Sequence, residues 1–266
     1  MSMIEKIKIN KAGVFFPILA LFIMSEQCRQ TVANRSKEIV AYSIMSDWEL
    51  VKTEDGSLFN LKDTFIAAQK NNTCMYVIYK PYVNTYITYD KNDSIVSERS
   101  EEGVNYNYYL FNSMQRVGVK YDSFNTKKGI EFPVDSLIAA KNFFKSDINL
   151  DSGYTLIRKA QVEKFSEVEI YHANHRPDED FPDSIYLTFS SKFDKVPYSF
   201  SKKIDSIHQK KLFKIQIIYN PLKNEKFSFP LPRRELLFEI KKVSVQNKKD
   251  INNLFKRFEK TKPIIK

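Results

Sequence analysis

Apolar and polar residues alternate with period two along much of the chain, the rhythm of half-buried β-strands. Cys74–Tyr79 and Tyr82–Tyr89 read as two strands broken by Lys80-Pro81. In the second, Tyr82, Asn84, Tyr86 and Thr88 share one face and Val83, Thr85, Ile87 and Tyr89 the other. Asp90-Lys91-Asn92-Asp93 is turn chemistry. Further strands are predicted over 104–111, 116–121, 154–160, 167–172, 185–189, 212–219 and 236–245. Helical spacing is rarer. It is mediocre over 36–52 and better over 57–70, where Leu58, Leu61, Phe65 and Ile66 follow a potential cap at Ser57. Pro133 precedes an expected helix over 134–144. Asp250 opens a last one with Ile251, Leu254, Phe255 and Phe258 in step. That last stripe suits docking onto a sheet better than lying on a membrane. Most connections are too short for crossovers between parallel strands. The expected fold is therefore α+β: mainly antiparallel sheet, with a few helices packed on one side.

One stretch obeys neither rhythm. Ala12–Met24 is an uncharged run of 13 residues behind Lys6, Lys8 and Lys11. It is too short to span a bilayer core, which takes about 20 residues. It has the build of a secretory signal, so residues 1–28 are expected to be removed or to act as an address. Cys28 lies four residues past the run, where a bacterial lipoprotein is acylated. The resemblance to that class is partial, because Ser25, Glu26 and Gln27 occupy places where it carries apolar and small residues. Thr31-Val32-Ala33 is an alternative cleavage site, leaving a mature region over 34–266. A break near 146–153 divides that region into two groups of strands. The expected location is the cell envelope, periplasmic or membrane-anchored.

Composition sharpens the picture in three places. Phe and Tyr number 21 and 15 against a single Trp, which favours pleated, half-buried surfaces. Only six glycines occur, none grouped, so no phosphate-cradling loop or dinucleotide fingerprint is present and no nucleotide cofactor is expected. If Cys28 is removed or acylated, Cys74 stands alone and no internal disulfide forms; its context is that of a small buried residue in a strand.

Charge is distributed unevenly. Residues 192–266 carry 20 Lys and Arg against 7 Asp and Glu, whereas the first 191 residues carry 22 against 25. Such a region attracts anions, here lipid headgroups or acidic polysaccharide in preference to nucleic acid. Doublets such as Lys241-Lys242 point to opposite faces of a strand and need not build one patch.

Candidate chemistry is sparse. His172 and His175, with Asp178 and Asp180 in the loop that follows, are candidate metal ligands. Asp147, Asn149 and Asp151 space their oxygens like the start of a calcium loop, but Arg158 stands where the closing Glu belongs. There is no nucleophile elbow and no H-E-x-x-H. His208 falls in a basic stretch with no distinctive partner in sequence. The sequence thus points to an exported, non-enzymatic binding or structural module of the envelope. Two rivals are an exported hydrolase with a site assembled from distant residues, and a cytoplasmic nucleic-acid binder with residues 12–24 in its core.

Overall fold

The computed structural model describes residues 38–112, 114–144, 148, 150, 153–174, 180–223 and 229–261. The signal-like segment, Cys28 and Ala33 lie outside them. Ile39–Lys266 make one compact unit.

Its frame is an eleven-stranded sheet in which all neighbours run antiparallel. In chain order the strands are β1 (Val40–Val51), β2 (Leu58–Lys70), β3 (Thr73–Tyr89), β4 (Ile95–Asn112), β5 (Val117–Tyr121) and β6 (Ile130–Pro133). After helix α1 (Val134–Lys141) come β7 (Tyr154–Glu163), β8 (Ser166–Ala173), β9 (Ser184–Ser190), β10 (Lys211–Tyr219) and β11 (Arg234–Val243). Helix α2 (Lys202–His208) precedes β10, and α3 (Lys248–Thr261) follows β11. The spatial order β6-β5-β4-β3-β2-β1-β11-β10-β9-β8-β7 describes two meanders, β1–β6 and β7–β11, joined where the first strand pairs with the last.

Both stretches of helical spacing near the start of the sheet are strands. Over 57–70 the apparent stripe mixes two populations. Phe65 and Ala67 are buried on one face and Ala68 on the other, whereas Leu58 and Leu61 are exposed and belong to no core. β1 is covered on both faces over its first half, with Tyr42 and Ile44 inward and Ile39 and Ala41 outward. Burial on both faces erases the period-two signal.

The helices occupy both faces, which corrects the one-sided expectation. On the inner face α1, α2 and a strap over 191–201 cover the sheet. The strap sets Val196, Tyr198 and Phe200 against Phe65, Tyr76 and Phe238. Tyr76 donates its hydroxyl to the Pro197 carbonyl at 2.8 Å and Tyr198 donates to that of Lys141 at 3.2 Å. On the outer face α3 docks its predicted stripe: Leu254, Phe255 and Phe258 pack with Met75, Val77, Tyr108, Leu110 and Tyr121. Arg257 latches that helix by donating to the Phe124 and Thr126 carbonyls. Cys74 is buried, and that burial lifts its thiol to about 11, far from a reactive thiolate.

Pro81 does not break β3. By that point β3 has lost β2 as a neighbour and is a strand with one partner, where proline is tolerated.

Because Phe238 on β11 meets Phe200 of the strap and Phe143 and Phe144 just after α1, Phe238→Ala should lower stability by about 3–5 kcal/mol, read from urea unfolding. Tyr86→Ala, in the exposed part of β3, should stay within about 0.5 kcal/mol of the parent.

Candidate functional site

The proposed metal ligands separate. His172 is exposed near the end of β8, across from Thr155 and Ser184. Asp180 is committed to Arg234, with which it forms an ion pair. Arg234 is nine-tenths buried, and its guanidinium lies 4.1 Å from the ring centre of Tyr219. His175 and Asp178 lie outside the described residues, as do the three oxygen ligands of the calcium-like stretch. Among the described residues no group of three or more His, Cys, Asp or Glu has the proximity to hold a metal ion.

The histidine with no distinctive partner in sequence is the one that meets charged groups. Alternation along β8 turns Glu167, Glu169 and Tyr171 to the inner face, and α2 lays His208 on the ring of Phe189, 4.1 Å between centres and nearly parallel. Glu169 is 3% exposed. It accepts from Lys159 at 2.9 Å and from the Tyr171 hydroxyl at 2.8 Å. Glu167 accepts from Lys210 at 2.9 Å. The His208 nitrogens stand 3.9 and 3.6 Å from the two carboxylates, too far for hydrogen bonds.

Two carboxylates thus face two ammonium groups, and the buried one is fully engaged. The hydrogen bond from Lys210 holds the Glu167 carboxyl below its ordinary range, against a smaller opposing effect of burial. The bond to Glu169 raises Lys159, while burial and the same carboxylate push the Tyr171 phenol up. The nearby Ser166 hydroxyl donates to that of Ser190 at 3.0 Å. This network ties the end of α2 to the β7–β8 edge. It offers a ligand or substrate no uncommitted carboxylate.

The most unusual geometry is at the far end of β3 and β4. β2 pairs with β3 only over Ile66–Lys70, and β4 pairs with β5 only over Tyr108–Leu110. From Ile78 to Asn107 the two long strands therefore pair with each other alone and leave the sheet as a two-stranded ribbon. Isolated ribbons are marginal in water. This one is held by cross-strand contacts: Tyr79 against Tyr106 at 6.2 Å, the Thr85 and Ser100 hydroxyls at 3.4 Å, and Tyr86 donating to Glu101 at 3.4 Å. The Tyr82 ring lies where a side chain on Gly103 would stand, so glycine is required there. At the tip, the Asp90 carboxylate accepts from the backbone N–H groups of Asn92 and Ser94, and Asp93 takes a left-handed turn conformation.

One ribbon face continues the outer face of the sheet. It exposes Tyr79, Pro81, Val83, Ile87, Val104 and Tyr106 next to Glu98 and Glu102. Its two outer edges carry unpaired backbone donors and acceptors, which are templates for another strand. Sequence reading found these strands but not their departure from the sheet. The available signal was the stretch Ser94–Gly103, in which neither alternate set of residues is apolar enough to face a core.

The basic C-terminal third is divided by the fold. Lys210, Lys211 and Lys241 are spent on Glu167, Asp205 and Glu239. Lys242, Lys248 and Lys249 are exposed and have no acidic partner among the described residues.

Neither a protein-family model nor a curated protein sequence matches this chain.

If the lysine–carboxylate network holds α2 to the sheet, its loss should follow Glu167. A carboxylate lowered by folding favours the fold above the ordinary carboxylate range, and that support is lost as pH falls through the lowered value. Urea midpoints should therefore fall between roughly pH 5 and pH 3, and Glu167→Gln should flatten the fall.

Proposed function

We propose that this chain is an exported, non-enzymatic binding module of the cell envelope whose working element is the β3–β4 ribbon. The ribbon itself supports the reading. It costs the chain about thirty ordered residues, of which Ile78 at its base packs against the inner core, and it displays apolar and aromatic groups to solvent. Recognition by strand addition would use its free edges for main-chain bonds and its alternate side chains for selectivity. The acidic groups around it, Asp90, Asp93, Glu98, Glu101 and Glu102, favour an extended partner segment carrying Lys or Arg.

Export rests on the apolar run behind three lysines, read as an address. The hydrolase reading is the weaker one, because Glu167 and Glu169, the carboxylates nearest His208, are engaged by Lys210 and Lys159.

Fractionation of cells expressing the full chain, with mass measurement of its amino terminus, tests the address. The expected product sits in the envelope and begins at an acylated Cys28 or at Asn34. An intact Met1 in the cytoplasm would overturn export. Separately, replacing residues 83–102 by a two-residue Asn-Gly turn should leave the unfolding free energy, read from urea titration, within about 0.5 kcal/mol of the parent, because the excised residues serve no core. A large loss of stability would remove the case for a dedicated binding arm.

A further inference from the structure

Antiparallel pairing sorts every connection to one end of the sheet or the other. The ribbon leaves from one end. At the opposite end lie the entry to β1, the β2–β3 turn, the β4–β5 turn, the β7–β8 turn, the start of β10 and the passage from β11 into α3. We infer that this second edge is a contact surface for an anionic lipid bilayer, holding the chain with its ribbon pointing away from the membrane. The inference rests on the export reading for its setting, but its chemistry stands on the following residues.

Charge comes first. Lys242, at the end of β11, and Lys248 and Lys249, at the start of α3, are exposed and unpaired among the described residues. Lys164 lies in the β7–β8 turn, also exposed. Glu163 beside it is answered by Lys192 at 2.7 Å, which leaves Lys164 uncompensated. Asp250 is the acidic group nearest the α3 pair in sequence.

Apolar tips accompany this charge. Phe165 is 46% exposed, with the Lys164 and Lys192 ammonium groups 5.4 and 6.0 Å from its ring centre. An exposed aromatic ring flanked by ammonium groups suits the boundary between headgroups and acyl chains. Met114, in the β4–β5 turn, is 90% exposed at the same edge. The β7–β8 tip and the β11 end are linked through packed rings. Phe193, next to Lys192, stacks on Phe213 at 4.7 Å and meets Tyr42 at 6.2 Å; Tyr42 is the register partner of Lys242.

The described chain also enters at this edge, where Ile39 and Val40 lead into β1. Cys28 lies ten residues before Glu38. The 17 residues of β3 then carry the tip roughly 50 Å outward at about 3.3 Å per residue.

Partition of the purified full chain onto vesicles tests the inference. Neutral phosphatidylcholine vesicles report any contribution of the amino-terminal apolar run, and vesicles with 30% phosphatidylglycerol add the charge. The expected result is a strong preference for the anionic vesicles that disappears in 0.5 M NaCl. In the Lys242→Glu/Lys248→Glu/Lys249→Glu variant the preference should drop on the order of 100-fold, the equivalent of roughly 1 kcal/mol per lysine, with neutral binding unchanged. Phe165→Ser should weaken binding to anionic vesicles several-fold. Charge reversal of Lys52 and Lys91, at the ribbon end, should change nothing.

No anionic preference, or one that survives the triple reversal, would overturn the inference. So would tighter salt-sensitive binding to soluble alginate than to the vesicles, which assigns the edge to polysaccharide. The export reading fails by a different result, an uncleaved cytoplasmic chain, so the two are distinguishable.

Discussion

The pairing of β1 with β11 is the interaction on which the rest of the structure depends. Eight register pairs, from Ala41 with Val243 to Trp48 with Leu236, join two meanders that would otherwise be separate sheets with open edges. Ile44 and Ile240 lie directly opposite each other in this seam, and both are buried beneath the inner layer. Covering both faces of the seam requires layers on both sides. This is why α1, α2 and the strap occupy one face and α3 the other. It is also why Phe200, Phe238 and Phe143 converge from different parts of the chain onto one point.

Away from the seam the two halves diverge in character. The β7–β8 edge closes on itself, with a buried carboxylate held by a lysine and a tyrosine and the end of α2 drawn over it. Breaking one partner of such a network is more damaging than never having built it, because a buried charge is left uncompensated. The β3–β4 side opens outward, sending two strands past their neighbours. One edge is tied down by buried charge and the other extends into solvent.

Much of this architecture was legible in the sequence. Antiparallel pairing followed from period two and short links, and the docked stripe of α3 followed from Leu254, Phe255 and Phe258. The burial of Cys74 followed from its strand context. What was hidden had physical causes. β1 and β2 looked helical because two-sided burial removes alternation, and because Leu58 and Leu61 add exposed apolar residues to the pattern. α2 was hidden in a stretch of lysines whose single buried anchor is Ile204. The meeting of His208 with Glu167 and Glu169 depends on a fold-back that no local spacing announces. The placement of lysines at one end of the sheet likewise becomes visible only with the strand order, since Lys164 and Lys248 are far apart in sequence.

The seam also dictates a timetable. Its two strands are separated by nearly the whole length of the compact unit, from Ala41 to Val243. Contacts this distant in sequence close slowly, and they cannot close at all until the last strand has left the ribosome. Until then the amino-terminal meander is a nascent sheet with its central strand bare along one side. The local hairpins on either side can form first, and the seam that joins them closes last.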